Sequence, residues 1–200
     1  RLETRVSTVR LLTETRGPVS LLILIGTLRV VAASGVPLSL AFLLDPKGQN
    51  PTQASFPISA MYFGIGAGGA STFFLKPMQE RRIMWSLPIC AAPFLTLIPF
   101  ARDYWMPLTV GLSGFCLGVT LPILISYGQR LIPKGQRVAS SLTMGVTWGA
   151  GGLLVPLVVH FLKDRNLETM AFVLYGICAV LSGLLCHGLP KLVHDGTTGD

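Results

Sequence analysis

The sequence predicts an all-α polytopic membrane protein whose six transmembrane helices form a three-plus-three inverted repeat. Three observations lead there. Half of the 200 residues are apolar, only 12% are charged, and mean hydropathy is +0.61. Soluble domains carry about 25% charged residues, so nine acids and sixteen bases cannot clothe a water-facing fold of this size. The charges cluster between apolar stretches of bilayer length. The tetrapeptide GAGG occurs twice, at Gly66–Gly69 and Gly149–Gly152.

The apolar stretches are Val19–Leu44, Phe56–Leu75, Ile83–Phe100, Met106–Tyr127, Val138–Leu162 and Met170–Leu189. Crossing a hydrocarbon core of roughly 30 Å takes about 20 residues, and each stretch has that reach. Backbone polar groups must be satisfied internally in lipid, and runs without alternation are helices rather than barrel strands. Residues 1–18 form a cytoplasmic linker in which Leu2, Val6, Val9 and Leu12 stand near helical spacing. Residues 19–190 form the bundle and 191–200 a cytoplasmic tail. The chain opens at Arg1 without a methionine or a cleavable leader pattern, and further sequence is expected upstream.

Charge sets the orientation. Eleven of the bases fall in the first segment, the Lys76–Arg82 and Gly128–Arg137 loops and the tail, against four on the opposite side. Lys and Arg favour the cytoplasmic face, so both termini are expected there, in a multi-pass protein of the cell membrane. The net charge of +7 is then topology and attraction to lipid; no basic stripe interleaved with aromatics suggests nucleic acid. Cys90, Cys116, Cys178 and Cys186 lie inside the stretches with no CxxC or metal spacing, and read as small buried hydrophobes. No cofactor or metal is expected.

Glycine costs about 1 kcal/mol in a helix relative to alanine, so its density here needs a reason. The two GAGG copies begin at similar depths in the second and fifth stretches, and an odd number of crossings separates them. They therefore run in opposite directions, as inverted repeats do. Helices in lipid approach through small residues. Gly64 and Gly68, Gly114 and Gly118, and Ser141, Gly145 and Gly149 recur at four-residue steps. Gly64, Gly66, Gly68, Gly69, Gly145, Gly149, Gly151 and Gly152 are therefore expected at helix contacts that slide.

Arg29 is the one Asp, Glu, Lys or Arg inside any stretch, about 15 Å into the membrane. An intramembrane charge is a functional hypothesis by default. Its partners are to be sought among carbonyls, hydroxyls, water, residues outside the chain or an anionic substrate, and a cavity-lining or gating contact is expected. Tyr62, Tyr127, Met144 and Trp148 are candidate substrate contacts, being large and partly polar or adaptable.

The run Tyr127–Pro190 resembles the end of the fosmidomycin-resistance proteins of the major facilitator superfamily. The matching residues are Gln129, Pro133, Ser140, Gly145, Gly149, Gly151, Gly152 and Asp164. The likeness extends upstream through Ala92–Trp105 and, more loosely, to an arginine in the first stretch. It implies the C-terminal six helices of a twelve-helix transporter, with an N-terminal six-helix half as partner. The implied activity is alternating-access efflux of a small-molecule drug or anionic metabolite through antiport with protons. Fosmidomycin is a phosphonate, which fits a cation at Arg29. The superfamily's cytoplasmic loop pattern keeps Arg81 and Arg82, but Pro77 stands where an aspartate is expected and Arg130 follows Gln129 where an acid is expected. With no acid inside the six stretches, the resemblance places the proton carrier in the other half.

Some residues also fit a different class. Gly111–Gly114 reads GLSG in the fourth stretch and His187 lies in the sixth, resembling rhomboid intramembrane serine proteases. Ser113 and His187 are expected about 15 Å apart in depth, beyond the reach of about 3 Å that a nucleophile and base require. A structural membrane subunit pairing GAGG faces is the remaining alternative.

Overall fold

Each apolar stretch is a helix, entered in several cases through a proline whose missing N–H costs nothing in a first turn. The computed structural model describes residues 16–44, 51–132, 136–165 and 167–190. Within them α1 spans Arg16–Leu44, α2 Pro51–Ser71, α3 Pro77–Leu97, α4 Trp105–Leu131, α5 Gln136–Lys163 and α6 Glu168–Leu185. No strand occurs among the described residues. All but α2 are both long and apolar enough to cross a membrane. With 21 residues, α2 has the length at about 1.5 Å per residue, but its glycines and serines dilute its hydropathy.

Helices overrun the apolar stretches where polar residues continue the same hydrogen-bond ladder. Arg16–Pro18, read as linker, belong to α1, and α3 begins at Pro77 rather than Ile83. Short 3-10 turns at Thr72–Phe74, Ile98–Phe100 and Cys186–Gly188 close α2, α3 and α6. Residues 1–15, Pro133 and the tail 191–200 lie outside the described residues. Between α3 and α4 the chain reverses at Asp103, whose φ of 48° is in the left-handed region that aspartate tolerates better than most side chains.

Exchanging α1 with α4, α2 with α5 and α3 with α6 maps the packing onto itself. Along α4 lies α2, as α5 lies along α1; α3 rests on α4, as α6 rests on α1; α3 and α6 pack on each other. That is the relation an inverted repeat demands. The centre is mainly apolar but holds polar pins: Tyr175 is buried, fills the space left by Gly35, and its hydroxyl shares a 2.8 Å hydrogen bond with Ser39. Two of the cysteines depart from expectation. Cys178 and Cys186 are buried, but Cys90 is exposed and Cys116 half-buried, so they face outward from the bundle.

The ladder of α5 widens to a π turn over Leu142–Val146. Thr143 donates to the Ala139 carbonyl at 2.8 Å and Thr147 to the Thr143 carbonyl. Such back-bonding bends helices, and π turns of this kind recur at functional sites.

Candidate functional site

Arg29 is fully buried where α1, α3, α4 and the end of α6 meet. Its Nη2 donates to the Met84 carbonyl at 2.6 Å and to Cys186 Sγ at 3.2 Å, and Nη1 to the Thr120 carbonyl at 3.4 Å; Nε has no partner among the described residues. The Met84 carbonyl is available for a covalent reason. Residue 88, which would donate to it in an α-helix, is proline and has no N–H. Pro88 thus orphans a carbonyl inside α3, and a guanidinium from α1 satisfies it. Acceptors inside the bundle hold Arg29, and its side chain is buried rather than presented on an open face.

The glycines divide into two populations. A Cβ on Gly64 would overlap the Gly111 carbonyl, and one on Gly68 the Phe115 carbonyl. In return, a Cβ on Gly114 would lie 2.5 Å from the Met61 carbonyl oxygen, and one on Gly118 would overlap that of Ile65. Here α2 and α4 touch backbone to backbone. Gly151 makes room for a side chain instead, between α5 and α1, where an added Cβ would lie 2.5 Å from Val30 Cγ1. Gly69 is in ordinary contact range, 3.9 Å from Gly118 and Pro122 atoms. Gly66, Gly145, Gly149 and Gly152 have nothing within 4 Å of an added Cβ. Within this chain, then, Gly64, Gly68, Gly69 and Gly151 meet a neighbouring helix, and the last four lie on open surface.

On α5 the open glycines share a face with Met144 and Trp148, each 48% exposed. The opposite face holds α5 in the bundle through Thr143 and Thr147, which fill the space at Gly128 and Gly26. Tyr62 is exposed on α2. Since α2 and α5 are joined through α1 and α4 rather than packed on each other, Tyr62 is not brought beside Met144 and Trp148. Tyr127 is elsewhere again, its hydroxyl donating to the Pro190 carbonyl.

At that same end the basic loops are cross-tied. Arg130 pairs with Glu80 and also donates to Ser126 Oγ at 2.9 Å, joining the end of α4 to the start of α3. Arg81 reaches the Leu189 carbonyl at 3.5 Å, Gln129 donates to Ser140 Oγ at 2.8 Å, and Arg82 is exposed. Sequence reading missed Glu80. It stands in the first turn of α3, and Arg130 is its partner.

Ser113 is buried, donating to the Val110 carbonyl at 2.8 Å and lying 3.8 Å from Met61 Sδ. His187 stacks near Trp85, with ring centroids 5.3 Å apart, at the end of α6. The fold does not bring this serine and histidine together.

Comparisons with known proteins agree with this architecture. The chain is 27% identical over 159 residues to the fosmidomycin resistance protein of Escherichia coli (strain K12), an alignment covering 76% of this chain and 37% of that protein. It is 30% identical over 91 residues to an uncharacterised transporter of the major facilitator type, YfnC, from Bacillus subtilis (strain 168), covering 43% of this chain and 22% of that one. The chain thus spans well under half the length of the curated relatives it matches. No protein-family model and no solved structure matches it.

Proposed function

We propose that this chain, a six-helix portion of a major facilitator transporter, rocks as one body against a second six-helix bundle and so exports a small molecule by alternating access. The observation that carries the reading is the open strip on α5, where Gly145, Gly149 and Gly152 run beside Met144 and Trp148. Each helical glycine costs about 1 kcal/mol, and acyl chains return nothing for it. Another helix does, because small residues admit close backbone approach in lipid. Gly66, open on α2, gives the other triplet a matching contact. Two such strips flanking α1 and α4 would let the bundles pivot without interlocked side chains.

In this scheme Tyr62, Met144 and Trp148 face the pathway, and the basic end, tied by Glu80 and Arg130, lies at the cytoplasm with both termini. Arg29 braces the bundle rather than touching substrate. No acid lies inside the six apolar stretches, so a proton carrier for antiport belongs to the other bundle. A small anionic drug or metabolite is the substrate class, in keeping with the name of the Escherichia coli relative.

The test uses the full-length transporter in a fosmidomycin-sensitive bacterial host. Expression should raise the tolerated concentration, a protonophore should abolish export, and Gly149→Leu should remove resistance at unchanged membrane abundance. Undiminished export by Gly149→Leu would overturn the role of the strip.

A further inference from the structure

Between α3 and α6 runs a groove of about 320 Å³, lined by Ala92, Pro93 and Thr96 on one side and by Val173, Gly176 and Ile177 among its residues on the other. It exists because the two helices come unusually close. A Cβ on Gly176 would lie 3.3 Å from the Ala92 carbonyl oxygen, and one on Gly183 2.6 Å from that of Trp85. Small side chains at the seam leave a trench beside it, and Pro93 and Ile177 are exposed along that trench.

The same face of α3 carries a cation. Arg82, Ser86, Ile89 and Pro93 recur at steps of three or four and so share one side of the helix. Arg81 and Arg130 are engaged, but Arg82 is exposed and makes no hydrogen bond or ion pair among the described residues. Beside it, Trp85 and His187 bring an indole and an imidazole together across the α3–α6 seam, and tryptophan favours the headgroup level of a bilayer. Arg82 precedes Pro93 by eleven residues, or about 16 Å of helix. That is half of a hydrocarbon core of about 30 Å.

We propose that this surface is a binding site for an anionic phospholipid, with the phosphate at Arg82 beside Trp85 and His187 and an acyl chain lying in the groove. The spacing is that of one leaflet: a headgroup at Arg82 puts the end of its chain at Ala92–Thr96. Basic residues between helices at the cytoplasmic side are known to select anionic headgroups. The inference rests on membrane embedding alone and stands whatever the transporter carries.

The experiment is native mass spectrometry of the full-length transporter titrated with dioleoylphosphatidylglycerol or dioleoylphosphatidylcholine. Wild type should retain one phosphatidylglycerol where phosphatidylcholine is stripped. Arg82→Ala should weaken phosphatidylglycerol binding about fivefold, the scale of one basic contact, and Ile177→Trp, filling the groove, should separately lower its retention. Arg82→Lys and the distant Arg137→Ala should keep it. Both altered residues are exposed, so folding is not at stake. Equal retention of the two lipids, or unchanged phosphatidylglycerol binding by Arg82→Ala and Ile177→Trp, would overturn the proposal.

Discussion

Gly68 and Gly151 are the third residues of the two GAGG tetrapeptides, and each is wedged against the first helix of the opposite triplet, at Phe115 of α4 and at Val30 of α1. The first residues, Gly66 and Gly149, are open in both copies. Two helices related by inversion thus spend their glycines in the same way, one for packing and one for an outward face.

That division predicts opposite outcomes for the same substitution. Gly68→Ala drives a methyl group into a carbonyl that cannot move aside and should destabilise the protein by about 1–3 kcal/mol, the range of overpacked sites. Gly151→Ala meets a valine side chain that can shift and should cost less. Gly66→Ala meets nothing within this six-helix bundle, so unfolding of residues 1–200 on their own should be unaffected or opposed by up to about 1 kcal/mol. Thermal unfolding in detergent ranks the three, and an equal loss at Gly66 would contradict the packing described.

Arg29 and Pro88 should be coupled with a change of sign. In the wild type, Pro88→Ala supplies an N–H that competes with Arg29 for the Met84 carbonyl, so it gains little. In an Arg29→Met background that buried carbonyl keeps only the weak Cys186 thiol donor at 3.5 Å, and losing the guanidinium costs about 1–3 kcal/mol. There Pro88→Ala should stabilise. A double-mutant cycle read by melting temperature that shows simple additivity would refute the pairing.

The Glu80–Arg130 pair is only partly buried, with side chains 25% and 33% exposed. Its coupling should be modest, about 0.2–1 kcal/mol, and weaken in high salt. Reversing both charges, Glu80→Arg with Arg130→Glu, should recover more stability and transport than either single change. If the double variant is no better than the singles, the two residues do not act as a pair.

Tyr62, Trp148 and Tyr127 should separate by what they disturb. Tyr62→Phe and Trp148→Ala alter exposed groups, should leave stability within about 0.5 kcal/mol, and should raise the KM for exported substrate. Tyr127→Phe loses the bond to the Pro190 carbonyl, about 0.5–1.5 kcal/mol, with KM unchanged. A KM shift at Tyr127 alone would relocate the pathway.

Six helices, their inverted relation and the outlying arginine were legible in the chain because they depend on local composition. Length, apolarity and the interval between charges require no knowledge of neighbours, and the repeated GAGG is visible as text. Glu80 was passed over because its meaning lies in Arg130, fifty residues away. The acceptors of Arg29 are hidden in the sequence because they are carbonyls and a thiol on other helices, one of them freed by a proline four residues further on.

Composition and spacing alone place this protein in lipid as two triplets of opposite orientation, since bilayer thickness and backbone hydrogen bonding leave few other solutions. Which glycines are wedged and which are open, and that Pro88 on α3 frees one of the acceptors of Arg29 on α1, follow only from how the helices pack. A glycine reads the same in text whether a carbonyl or empty space lies beside it. The difference is made by the neighbouring helix.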